Sequence, residues 1–92
     1  MNKKQRELKK AKEGAGKLAT EMYLLSDKLR KWGINPFYCS PELMYSKEEI
    51  ITQLGHSENV AKKIARYAKR VWEIISYEAP NKFKEIEMLE EE

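Results

Sequence analysis

A chain of 92 residues and 10.9 kDa is room for one domain, because domains of about 100 to 150 residues are typical. Its 41% hydrophobic and 36% charged residues predict a thin core under a well-solvated surface. The net charge of +3 divides into a basic body, 16 Lys and Arg against 8 Asp and Glu over residues 1–70, and an acidic end. No apolar run approaches the roughly 18 residues of a membrane span, and the start lacks a signal-peptide stretch, so we expect a cytoplasmic protein without membrane contact.

The first predicted helix runs from about residue 3 to residue 32 and stops at Gly33. Its apolar residues recur in steps of three and four, at Leu8, Ala11, Ala15, Leu18, Met22, Leu25, Leu29 and Trp32. This heptad seam must pack on another helix, either in the same chain or in a second copy, which predicts a homodimer through residues 8–32 as one alternative. Gly14 weakens the helix, so we expect residues 1–14 to form a basic arm that is mobile when free.

Residues 34–46 contain two prolines and no helical period, but they are too apolar for a flexible linker. We therefore predict an ordered connection that packs across the helices. The chain also has more aromatic residues than a small core encloses, although Trp32, Tyr67 and Trp72 are better explained as core residues. Exposed aromatic residues beside basic ones are typical of protein-binding surfaces, and the candidates here are Phe37, Tyr38 and Tyr45.

Two further helices follow the connection. Ser46-Lys47-Glu48-Glu49 is a capping box that opens a short helix ending at Gly55. Ser57 caps a third helix over residues 58–78, with apolar positions wide enough to make it central. Pro80 is predicted to end that helix and Asn81 to cap a last one. No segment alternates as a strand would, so the fold class is all-α: a small helical bundle of three main helices plus a short C-terminal helix, within a single domain of residues 1–92.

The segment from Glu48 to Arg66 resembles the DNA-binding helix-turn-helix, in which a short helix, a tight turn and a capped second helix place that second helix in the major groove. The residues at its apolar positions and at its turn glycine are Ile50, Leu54, Gly55, Ala61 and Ile64. Ile51 and His56 depart from the family pattern, since the family has a small residue and an apolar residue there. The resemblance implies a DNA-binding function.

The resemblance also implies that the outward residues of the third helix face DNA, together with phosphate contacts from the basic arm. Asparagine pairs with adenine, and lysine or arginine with guanine or phosphate, whereas Glu58 does not suit the role. The predicted nucleic-acid-binding residues are Ser57, Asn59, Lys62, Lys63, Arg66, Lys69, Arg70, Lys3, Lys4 and Arg6.

Two functions therefore stay open on the sequence. The first is a small DNA-binding regulator of helix-turn-helix type. The alternative is a non-enzymatic interaction protein, of the kind that viruses and mobile elements use as inhibitors, which modulates a host macromolecular complex through the basic face and the aromatic connection. A third, simpler interpretation is a helical hairpin whose lysine face contacts solvent and binds no partner. We predict no catalysis, metal or cofactor, because adjacent His56 and Ser57 do not give nucleophile–base geometry and one histidine with one cysteine makes no metal cluster.

Overall fold

The structure is a computed structural model that describes residues 2–91, and within them every regular element is helical. Helix α1 spans Lys3–Lys31, α2 spans Lys47–Thr52 and α3 spans Glu58–Glu73. A π-helical segment, Ile74–Glu78, leads into α4, Ala79–Glu91, and a single 3-10 turn, Pro36–Tyr38, lies in the connection. The all-α class is therefore confirmed. None of these helices in residues 2–91 is long and apolar enough to cross a membrane.

Both ends of α1 follow from local hydrogen bonds. Asn2 forms a capping box: its Oδ1 accepts from the backbone N of Gln5 at 2.8 Å, while Gln5 Oε1 accepts from Asn2 N at 3.1 Å. At the other end Gly33 adopts a φ of +83°, and the N–H of Ile34 reaches the carbonyl of Leu29 at 2.9 Å. This Schellman arrangement buries Ile34 against Leu29. It ends the helix at Gly33, as predicted from the sequence.

Residues 1–14 are predicted as a mobile basic arm; residue 1 lies outside the described residues, Asn2 caps α1, and residues 3–14 form its first turns. Ala11 is only 2% exposed, and Lys12 Nζ lies 3.3 Å from Glu90 Oε1 at the far end of α4. This stretch of the chain is thus packed on the acidic C-terminal helix, because α1 and α4 run side by side.

The molecule is an elongated helical hairpin, 56 by 21 by 15 Å. Helix α1 forms one limb, and α3, the π segment and α4 form the other without a break from Glu58 to Glu91. The limbs are antiparallel, since Lys12 pairs with Glu90 while Trp32 stacks on Tyr67. The heptad seam of α1 is therefore covered by the second limb of the same chain.

The boundary predicted at Pro80 is wrong, because the chain stays helical through this residue and Asn81 lies inside α4 instead of capping it. Proline lacks an N–H and its ring clashes with the carbonyl four residues earlier in a regular α-helix. The π segment just before it widens the backbone, with the N–H of Ala79 reaching the carbonyl of Ile74 five residues back. This local expansion accommodates the ring without ending the helix.

The hydrophobic core lies at one end of the hairpin, which we call the head (residues 28–72). Its buried residues come from α1, the connection, α2 and α3: Leu29, Ile34, Cys39, Ile50, Ala61, Ile64, Ala68 and Val71. Buried Pro36 and Cys39 anchor the connection to this core. The rest of the molecule, the stem, is the pair of limbs beyond the head and has fewer buried side chains.

Candidate nucleic-acid interface

The candidate interface is built on α2, the turn that follows it, and α3. Ser46 Oγ accepts from Glu49 N at 3.1 Å and Glu49 Oε1 accepts from Ser46 N at 3.2 Å, which is the predicted capping box. Helix α2 ends at Thr52, earlier than predicted, and Gly55 turns the chain with a φ of +72°. Ser57 Oγ then accepts from Val60 N at 3.3 Å and starts α3.

The positions that the helix-turn-helix pattern reserves for apolar residues hold the two helices together. Ile50, Ala61 and Ile64 are fully buried and Leu54 is half-buried beside them. These contacts seat α2 against α3 and direct the opposite side of α3 towards solvent.

His56, a departure from the family pattern, links the turn to α1. Its Nε2 lies 2.7 Å from the backbone carbonyl oxygen of Trp32, so the imidazole donates to an acceptor at the C-terminal end of α1. An apolar residue makes no such bond. The histidine thus ties the turn to the first limb of the hairpin.

The exposed side of α3 carries most of the residues that the sequence predicted for DNA contact. The buried row of α3 consists of Ala61, Ile64, Ala68 and Val71. The opposite surface, which we call the α3 basic face, consists of the exposed residues Asn59, Lys62, Lys63, Arg66 and Lys69. Lys62, Arg66 and Lys69 follow one another at steps of four and three, so they form one row along the helix. Ser57 is exposed at the start of the same helix.

Most cations of this face have no acidic partner. Glu58 contacts Lys47 Nζ at 2.8 Å and Lys62 Nζ at 3.9 Å, and the hydrogen bond from Lys47, helped by the charges of both lysines, lowers the pKa of Glu58. The ion pairs formed among residues 2–91 do not include Lys63, Arg66 or Lys69. These three charges are therefore available to an anionic ligand.

Arg70, also predicted as a DNA contact, is half-buried and paired with carboxylates, unlike the exposed residues of the α3 basic face. Its guanidinium donates to both carboxylate oxygens of Glu21 on α1 at 2.8 Å, and it also donates to Glu78 in the π segment. These hydrogen bonds raise the pKa of Arg70 above its ordinary value. Arg70 is thus bound to residues of the stem, because the carboxylates of Glu21 and Glu78 accept hydrogen bonds from its guanidinium.

Lys3, Lys4 and Arg6 are also separate from the α3 basic face. They lie on the first two turns of α1, whereas the face lies beside its last turns. At 1.5 Å per residue along α1, the arm lies about 35 Å from Lys28, which is beside Arg66, and about 25 Å from Glu21, whose partner Arg70 follows Lys69. The structure therefore brings the residues of α3 together and leaves the basic arm at the opposite end.

One cation beside the face was missed by the sequence reasoning. Lys28 Nζ, on α1, lies 5.3 Å from the centroid of the Tyr67 ring, and Arg66 Cζ lies 5.5 Å from the same centroid. Trp32 stacks on Tyr67 with ring centroids 5.8 Å apart. The cluster forms only when α1 packs on α3, and its one signal in the sequence is the four-residue step from Lys28 to Trp32, which puts both on one side of α1.

The aromatic residues proposed for partner binding are exposed on the connection. Phe37 is 73% exposed, Tyr38 58% and Tyr45 44%. The buried residues of the same segment, Ile34, Pro36 and Cys39, hold its backbone while these rings face solvent.

The chain matches no family model, and neither a curated protein nor a solved structure is significantly similar to it. We therefore infer function from the chemistry of its surfaces.

Proposed function

We propose that the protein is a small DNA-binding regulator that contacts DNA through the α3 basic face. The observation that carries the proposal is the exposure of Asn59, Lys62, Lys63, Arg66 and Lys69 on the side of α3 opposite its buried row. A rigid helix with cations and an amide on one free side is the arrangement that enters a major groove.

Each residue type has a definite use in that arrangement. Asn59, near the start of α3, has the amide that pairs with the N6 and N7 edge of adenine, and Arg66 has the fork that fits guanine O6 and N7. Lys63 and Lys69 are suited to phosphate oxygens, which set the register of the helix on the duplex. The Ser57 hydroxyl accepts from Val60 N and still has its proton to donate to a phosphate.

The packing around the face supports a fixed presentation of these groups. Arg66 lies over the Tyr67 ring, which is stacked on Trp32, and the bond from His56 to the Trp32 carbonyl holds the turn to the same helix end. Ordering these groups before binding reduces the entropy lost when DNA is bound.

The test is duplex binding by the full chain, using a site selected from a random duplex pool at about 0.15 M salt. We expect the triple variant Lys62→Glu, Lys63→Glu, Arg66→Glu to lose binding, and the slope of log affinity against log salt to fall by about 0.9 for each phosphate contact removed. Helicity and unfolding should stay nearly the same, because exposed substitutions usually change stability by less than about 0.5 kcal/mol.

The matched control is Lys3→Glu, Lys4→Glu, Arg6→Glu, which changes the net charge equally at the other end of the hairpin. We expect a smaller loss of affinity from this variant. Equal weakening by both triples, or parent binding confined to very low salt, would contradict the proposal, because any basic protein then behaves in the same way.

A further inference from the structure

A groove crosses the head between the connection and α3, and its α3 rim shares Lys69 and Lys62 with the α3 basic face. One part is a cleft of about 280 Å³ between Pro41, Met44 and Tyr45 on the connection and Ala65, Lys69 and Trp72 on α3. A second cleft of about 300 Å³ continues it past Ile34, Tyr38 and Leu43. The two clefts share Met44 and Tyr45 in their linings, so they lie next to each other.

The first cleft is largely apolar, whereas the lining of the second also includes the polar residue Asn35. Tyr45, which lines both clefts, is 44% exposed, and Leu43, which lines the second cleft, is 60% exposed. On α3 the small side chain of Ala65 leaves room for a ligand to approach the helix. Contiguous exposed apolar surface of this kind marks interaction sites, whereas single exposed apolar residues are ordinary.

The charge along the groove is positive. Lys69, which forms no ion pair within residues 2–91, lines the first cleft. Lys62, whose Nζ lies 3.9 Å from Glu58, is seven residues earlier on the same side of α3, with Ala65 between the two lysines. No carboxylate is among the described residues that line either cleft. An occupant therefore needs apolar anchors for the clefts and negative charge beside Lys69 and Lys62.

We propose that this groove docks an acidic peptide segment of a partner protein. One apolar anchor, an aromatic residue or a leucine, enters the cleft between Met44 and Trp72, and a second enters the cleft at Tyr38 and Leu43. Carboxylates of the peptide meet Lys69 and Lys62 at the rim. A nucleic-acid backbone is the poorer fit, because the lining offers one cation while most of its surface is aliphatic or aromatic.

The test is display selection of random peptides of about 16 residues, long enough for about four helical turns, on the immobilised full chain in nuclease-treated buffer. The groove is blocked by Ala65→Glu, which adds bulk and negative charge at an exposed position and leaves the buried row of α3 unchanged. The matched control is Ala19→Glu, the same change at an exposed position of α1 in the stem.

We expect selected peptides to be acidic, to contain paired aromatic or leucine residues, and to bind the parent and Ala19→Glu equally. They should bind Ala65→Glu at least about tenfold more weakly, and Lys69→Gln should weaken them several-fold. Two results would overturn the inference: no enrichment over the blocked variant, or selected peptides without net negative charge. The DNA-binding proposal is judged separately, by the triple variant on α3.

Discussion

Arg70 is a single residue that connects several parts of the molecule. It joins Glu21 of α1 to Glu78 of the π segment, two positions that are far apart in sequence. The planar fork of arginine suits this role, because its donors serve two carboxylates at once and a lysine ammonium does not present them in the same geometry. A residue that looks like one more surface cation in the sequence is therefore a link between the two limbs.

The first prediction concerns this link and pH. The hydrogen bond from Arg70, and then its charge, lower the pKa of Glu21 below its usual 4.5. A carboxyl whose pKa is lowered by folding stabilises the protein fully above its unfolded pKa, and this contribution is lost as pH falls through the folded value. We expect Arg70→Met to reduce the free energy of unfolding by up to about 1 kcal/mol near neutral pH, since the pair is partly exposed.

The same variant should lose less stability than the parent when the pH is lowered from about 7 to about 3, because its Glu21 pKa is no longer depressed. Urea unfolding at the two pH values measures both effects. Lys69→Met is the control, since Lys69 is exposed and forms no ion pair within residues 2–91. A variant as acid-sensitive as the parent would contradict the assigned role of Arg70.

Among the helices, the passage from α3 to α4 is the clearest departure from local rules. A proline followed by an asparagine is the usual pattern of a helix end and a new cap. Here packing of α4 along α1 keeps the chain helical, and the π segment absorbs the proline. Tertiary contact has overridden the local preference.

The second prediction tests whether Asn81 lies inside a continuous helix or caps a separate one, because the two cases change the free energy of unfolding in opposite directions. Asn81 is exposed within α4, so Asn81→Ala should leave the free energy of unfolding unchanged or raise it by up to about 0.7 kcal/mol through better helix propensity. Ser57 is a true N-cap, so Ser57→Ala should lower it by about 1 kcal/mol. Denaturant unfolding of both variants is the measurement. A loss at Asn81 equal to that at Ser57 would mean that Asn81 caps a separate helix.

For the whole molecule, the question is what covers the seam of α1. Ala11 and Leu29 of the seam are buried, and Met22 and Leu25 pack on the core, all within one chain. The second limb and the core of the same chain therefore pack on these parts of the surface through which we predicted a homodimer, residues 8–32. Exposed Tyr23 and Leu24 lie on other sides of α1.

The third prediction is that sedimentation at tens of micromolar, where an interface worth about 8 kcal/mol would be occupied, gives a 10.9 kDa species. Its frictional ratio should be that of an elongated particle, since the dimensions are 56 by 21 by 15 Å. A dimer whose formation is sensitive to Leu24→Glu but not to Ala19→Glu would show that the outer side of α1 is an interface.

The sequence by itself determined the helical class, the caps at Ser46 and Ser57, and the turns at Gly33 and Gly55. Each of these depends on a hydrogen bond or a backbone angle within a few residues, so the local pattern contains the whole cause. The exposed positions of the α3 basic face were predictable for the same reason, because helical periodicity separates them from the buried row.

Only the tertiary structure decided which cations stay available, what covers the α1 seam, and how the chain passes Pro80. Arg70 is held by Glu21, the arm lies beside acidic α4, and Lys28 joins Arg66 at Tyr67. These outcomes depend on side chains tens of residues apart that meet when the two limbs pack. The spacing of residues within one helix does not predict these contacts. The partners are selected by burial and charge pairing between the two limbs of the hairpin.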